Sequence, residues 1–217
     1  MADPILKVEN VDLGYGTLKV VFDVSLEVGR GELVGLVGGN GSGKSTILRA
    51  ISGMIAPWSG RIVFDGEELR HAQPHQMAEK GLAHVPMGRQ LFANMTVHDN
   101  LMLGAYLPAA RARRADNLAR VHELFPELLR LRDAAAAQLS GGQQQMVAVA
   151  RAAILRPRLL LADEPTGALH SSQGELIMDL LAELNRDGTT ILQVTHNPDY
   201  AARGTRVVEM RDGRLQA

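Results

Sequence analysis

The 217-residue chain contains no cysteine, which excludes a disulfide framework and any thiolate metal site and agrees with a reducing compartment. An excess of charge of either sign is also lacking. With 23 basic and 24 acidic side chains the formal net charge is -1, so no global field draws the protein to nucleic acid or to an anionic membrane. Nucleic acid is therefore not an expected partner. No run of about 18 apolar residues, the length a membrane-crossing helix needs, occurs in the sequence. The opening residues, MADPILKVEN, lack the basic and apolar regions of a signal peptide. The chain is expected to be soluble and not exported. Internal repeats and low-complexity linkers are absent as well.

What is present is enough apolar residue content, 46%, to fill the core of one sizeable α/β domain. Short strands are expected over Ile5 to Val11 and Val20 to Val28, forming an edge β-sheet, with a turn around Gly14, Tyr15 and Gly16. Leu33 to Val37 reads as a buried strand that leads into a glycine-rich loop and then a helix from about Lys44 to Gly53. Apolar strands at Leu159 to Ala162 and Thr190 to Thr195, with helical patterns between them, predict crossovers onto a mostly parallel sheet covered on both faces. Thr96 to Asp133 breaks this alternation and reads as an inserted helical subdomain. Its Arg111, Arg113 and Arg114 fit a solvated helix face better than a binding patch.

Gly38, Gly39, Asn40, Gly41, Ser42, Gly43, Lys44 and Ser45 fit the pattern G-x-x-x-x-G-K-[ST], between a strand and a helix as that pattern requires. The glycines let backbone N–H groups converge on phosphate oxygens, and the helix that follows offers the positive end of its dipole. Lys44 is placed to reach the β and γ phosphates, Ser45 to coordinate Mg²⁺, and Thr46 to donate to the α phosphate. A nucleoside triphosphate with magnesium is the expected ligand. The strand at Leu159 ends in Asp163 and Glu164, and in a parallel sheet that end lies beside the phosphate loop. Asp163 suits the metal, and Glu164 suits the orientation of an attacking water. His196 closes the next strand at the same edge, within reach of a γ phosphate or its attacking water. The other six histidines are expected to be surface or packing residues. Pro74 argues against a helical metal pair of His71 and His75.

Leu139, Ser140, Gly141, Gly142 and Gln143, leading into a helix, form a second anion-binding device. They resemble the signature motif of ABC ATPases almost letter for letter, and the order of all these motifs is that of the family. The resemblance covers essentially the whole chain. It implies a single ABC ATPase domain over 1–217, with the inserted helical subdomain and signature within about 90–150. The fold it implies is a P-loop NTPase core with a mostly parallel sheet and an N-terminal antiparallel β subdomain. It further implies that Tyr15 stacks on adenine, that His196 is the switch histidine, and that Glu164, His196 and Lys44 carry catalysis. In that family Ser140 to Gln143 of one subunit close over the phosphate loop of another, so the expected partners are a second ABC ATPase, identical or not, and transmembrane permease subunits. The implied function is Mg²⁺-dependent ATP hydrolysis that powers transport, at the cytoplasmic face of the membrane.

Residues up to about Met146, above all Val85 to Phe92, look like ATPases of branched-chain amino acid and urea importers. Asp163 to Leu169, and Gly188 to Arg214, instead resemble those of lipoprotein-releasing and macrolide-export systems. Import is the expectation; export or lipoprotein release is the alternative, with a weakly active nucleotide-binding scaffold beside it. Two positions depart from the family. Met87 stands where a glutamine or glutamate normally touches Mg²⁺ and the attacking water, and a thioether cannot replace that ligand. His170 stands where an aspartate normally supports the partner's site. ATP binding is expected to persist, with hydrolysis present and slow.

Overall fold

The computed structural model describes residues 3–69 and 72–216; His71 lies outside them. Two sheets share the molecule. The first is antiparallel and runs in the order β2 (Leu18–Val28), β1 (Leu6–Tyr15), β4 (Ser59–Phe64), β5 (Glu67–Glu68). The second runs in the order β10 (Arg214–Leu215), β9 (Arg206–Arg211), β3 (Leu33–Val37), β8 (Thr190–Thr195), β7 (Leu159–Asp163), β6 (Leu82–Val85). From β9 to β6 every neighbouring pair is parallel, and only the short β10 is antiparallel.

The parallel strands read as near-continuous apolar runs because both faces are covered. Alternate residues enter opposite cores. Leu33, Ala83, Leu160 and Ile191 pack toward α7 (Gly141–Ala153) and α8 (Ser171–Arg186). Val34, Leu36, Leu161 and Val194 pack toward α1 (Lys44–Ile51) and the antiparallel sheet. Each such leucine, fully buried, contributes about 1.5–3 kcal/mol over an exposed one.

The inserted segment is helical as expected, comprising α3 (Val97–Gly104), α4 (Pro108–Ala112), α5 (Arg114–Leu124) and α6 (Pro126–Arg130). A capping box of Thr96 and Asp99 starts it, with Thr96 Oγ1 accepting from the Asp99 N–H at 3.0 Å. Val97, Leu101, Val121, Phe125 and Leu128 fuse it to the α7–α8 core. Arg111, Arg113 and Arg114 are exposed.

Two boundaries differ from the sequence reading. Gly14 and Tyr15 belong to β1 and not to the turn, because Gly14 pairs with Lys19 and Tyr15 with Leu18. Gly16, at φ 57°, lets the chain reverse in two residues, which suits a right-twisted hairpin. The first helix ends at Ile51, and Gly53 sits beyond it in the left-handed region at φ 74°. Pro74 opens a short helix, α2 (Pro74–Glu79), so His75 lies in its first turn.

Candidate active site

The loop between β3 and α1 is shaped by steric limits at its two ends. A Cβ on Gly38 would lie 2.1 Å from the Met210 carbonyl oxygen, and Gly43 adopts φ 102°. Gly43 caps α1 without any side-chain hydrogen bond, leaving the first-turn N–H groups directed at an open space, which is the anion site of a helix N-terminus. Lys44 is 6% exposed, and its Nζ donates to the Gly38 and Gly39 carbonyls at 2.8 and 2.9 Å. Ser42 Oγ is buried without a hydrogen-bond partner, a polar atom that an incoming ligand can satisfy.

Asp163, at the end of β7, is buried and accepts a hydrogen bond from Ser45 Oγ at 2.8 Å. One carboxylate and one hydroxyl, both hard oxygen donors beside a phosphate loop, fit Mg²⁺, which takes few protein ligands and completes its shell from phosphates and water. Ser45 and Asp163 are the residues that would hold it. Glu164 follows at φ 48°, a left-handed turn that swings its side chain off the strand end. Its Oε2 lies 2.9 Å from His196 Nδ1. That contact joins the ends of β7 and β8, neighbours in register from Leu159–Thr190 to Asp163–Val194.

A cavity of about 710 Å³ brings Asn40, Gly41, Gly43, Lys44, Ser45, Thr46, Glu164 and His196 together, within the size range of ligand sites. Gly38, Gly39 and Ser42 complete the loop beneath it. Tyr15 does not line the cavity; its hydroxyl lies 3.5 Å from Thr46 Oγ1 and accepts from Arg49 Nη1 at 3.1 Å. Ser140 to Gln143 do not line it either. Ser140 and Gln143 cap α7 reciprocally, Ser140 Oγ accepting from the Gln143 N–H at 3.3 Å and Gln143 Oε1 from the Ser140 N–H at 2.9 Å. This leaves the N–H groups of Gly141 and Gly142 without a hydrogen-bond partner among the described residues.

Val20, Arg89, Gln145 and the loop Gly167 to Leu169 also line the cavity, and sequence reasoning gave none of them a role. Arg89 carried the one available signal, a cation in the loop directly after β6. Met87 lines the cavity and is 64% exposed. His170 is the N-cap of α8 but makes no side-chain cap hydrogen bond.

Residues 21–167 match the ABC transporter family model. The chain is 36% identical over 212 residues to the high-affinity branched-chain amino acid transport ATP-binding protein BraG of Pseudomonas aeruginosa, covering 97% of this chain and 91% of that protein. It is 39% identical over 227 residues to the macrolide export ATP-binding/permease protein MacB 1/2 of Paracoccus denitrificans, covering 99% of this chain and 33% of that protein. Among solved structures, a dimeric ATP-binding cassette in a post-hydrolysis state, bound to ADP and Pi, superposes with a TM-score of 0.84 at 31% identity, covering 98% of this chain and 97% of that one.

Proposed function

Since the chain belongs to the ABC transporter family, we propose that it is one cassette domain that hydrolyses ATP for a solute importer of the branched-chain amino acid type. In this reading it pairs head to tail with a second cassette and docks on transmembrane permease subunits at the inner membrane face. No helix among the described residues is long and apolar enough to cross a membrane, and in this reading permease subunits supply the path. The likeness to a branched-chain amino acid transport ATPase over 91% of its length and to a dimeric cassette supports the choice.

The observation that carries the reading is the convergence of Lys44, Glu164 and His196 on one cavity above an open helix N-terminus. ATP lies with its phosphates on the Gly38 to Thr46 loop, and Tyr15 offers its ring to the base. Lys44 exchanges its two carbonyl contacts for phosphate oxygens. Ser45 and Asp163 would hold Mg²⁺, which would supply charge neutralisation at the phosphates. Glu164 accepts a hydrogen bond from a water and aims its oxygen at the terminal phosphorus; the water oxygen bonds to that phosphorus as the bond to the bridging oxygen breaks, the bridging oxygen leaves with ADP, and the water proton passes to Glu164 and on to the released phosphate. His196 holds the Glu164 carboxylate in that direction through the 2.9 Å contact. The N–H groups of Gly141 and Gly142 are free to receive the terminal phosphate of the nucleotide on the partner cassette.

The test is Mg²⁺-dependent phosphate release by the purified chain beside Glu164→Gln. Release is expected to fall by about 10²- to 10⁴-fold in the variant while nucleotide binding persists. Equal release from both proteins would remove Glu164 from the mechanism. Export is the second reading, favoured by the 39% identity to a macrolide export protein; the membrane subunits that co-purify with the chain separate the two.

A further inference from the structure

The loop after β6 contributes two side chains to the cavity. Met87 offers a thioether, while Arg89 offers a guanidinium. Among the described residues that guanidinium meets only neutral oxygens, Gln144 Oε1 at 2.9 Å and the Ala168 carbonyl at 3.4 Å. It also sits against the N-terminus of α7, where a Cβ on Gly141 would be 3.1 Å from Arg89 Nη2. A cation at the positive end of a helix is poorly placed, and the contact to Ala168 is long. The backbone is strained at the same point: Arg89 and Gln90 have φ 65° and 47°, directly after Gly88 at 86°. Left-handed backbone costs a non-glycine residue roughly 1–2 kcal/mol, and such strain persists only where surroundings impose it. Here Arg151 imposes it, donating to the Gln90 carbonyl at 2.9 Å and the Arg89 carbonyl at 3.5 Å.

We infer that Arg89 senses the terminal phosphate, its guanidinium leaving Gln144 and Ala168 for that phosphate when ATP rather than ADP fills the cavity. The fork of donors matches phosphate oxygens, and the phosphate supplies the negative charge that the present contacts lack. The exchange also carries information. Gln144 belongs to α7 and Ala168 to the loop after Glu164, so both are released together when ATP binds. This inference rests on the reading of the cavity as the ATP site.

The experiment measures ATP and ADP affinities by displacement of a fluorescent ADP analogue, in a Glu164→Gln background and at low protein concentration. Arg89→Gln keeps a hydrogen-bond donor without the charge. It is expected to weaken ATP binding about 10- to 100-fold, as loss of a charged hydrogen bond does, while ADP affinity stays within about twofold. Arg89→Lys is expected to recover part of the loss. An unchanged ratio of ATP to ADP affinity in Arg89→Gln, or full rescue by Gln equal to Lys, overturns the inference and makes Arg89 a structural clasp. Retained ADP binding shows that each variant folds. Lys44→Ala checks the underlying reading: if it leaves nucleotide binding unaltered, the cavity is not the ATP site, and the inference falls with that reading.

Discussion

The loop proposed to hold the phosphates depends for its shape on Gly38 and not on Gly39, and the difference is large enough to measure. A Cβ at position 38 would stand 2.1 Å from the Met210 carbonyl and 2.9 Å from Ser42 Oγ. The first neighbour is backbone in β9, so relief requires the loop or the strand to move by about 1 Å. Overpacking of this kind costs roughly 1–3 kcal/mol, which for a chain of this size lowers Tm by roughly 2–12 °C. A displacement of about 1 Å at a reacting group costs about 10²-fold in rate, so Gly38→Ala is expected to lose phosphate release on that scale. At Gly39 a Cβ meets nothing within 4 Å, and Gly39→Ala is expected to keep its melting temperature and its rate within about twofold. Thermal melting and phosphate release at saturating ATP check both. Equal behaviour of the two variants would refute the claim that Met210 sets the loop's position.

Three further outcomes follow from single side chains. His170→Asp places a carboxylate at an N-cap that lacks one and is expected to stabilise α8 by about 1 kcal/mol, raising Tm by roughly 2–4 °C; an unchanged Tm would show that the first turn needs no cap. Met87→Gln adds a hydrogen-bonding group at an exposed cavity position and is expected to raise turnover roughly 10- to 100-fold, and a rate equal to that of the parent would show that the loop's polar contact is already made elsewhere. His84 has both ring nitrogens buried without partners, and burial holds its pKa below the ordinary 6.5 despite the opposing pull of Asp163. The unfolded chain therefore binds the proton first as pH falls. Stability is full above about pH 6.5 and declines below it, and His84→Leu is expected to flatten the decline seen by denaturant titration between pH 7.5 and 5.5.

The phosphate loop and the acidic end of β7 were legible because each is a contiguous run whose chemistry depends on local backbone and residue type. Placing His196 beside Glu164 needed only the rule that parallel strands end at a common edge. Arg89, Gln145 and Val20 were not legible as cavity residues. They arrive there through the course of the loop after β6 and the packing of α7 and the hairpin against the core, contacts that no short pattern encodes. The sequence predicts too wide a hairpin turn because glycine at position 14 suggests a turn, whereas its cross-strand pairing with Lys19 keeps it in the strand. Ser140 to Gly142 read as an anion cradle, yet in the single chain they lie outside the cavity. In the proposed head-to-tail pairing their ligand sits on another copy, and such a motif leaves no mark in one chain's pockets.

Whether ATP is hydrolysed at sites completed by two cassettes is decided by phosphate release measured across protein concentration, beside the size of Glu164→Gln in ATP and Mg²⁺. Turnover rising more than linearly with protein, together with a Glu164→Gln dimer that forms with ATP and not with ADP, is the predicted result. Strictly linear turnover with a Glu164→Gln chain that stays monomeric in ATP would contradict it.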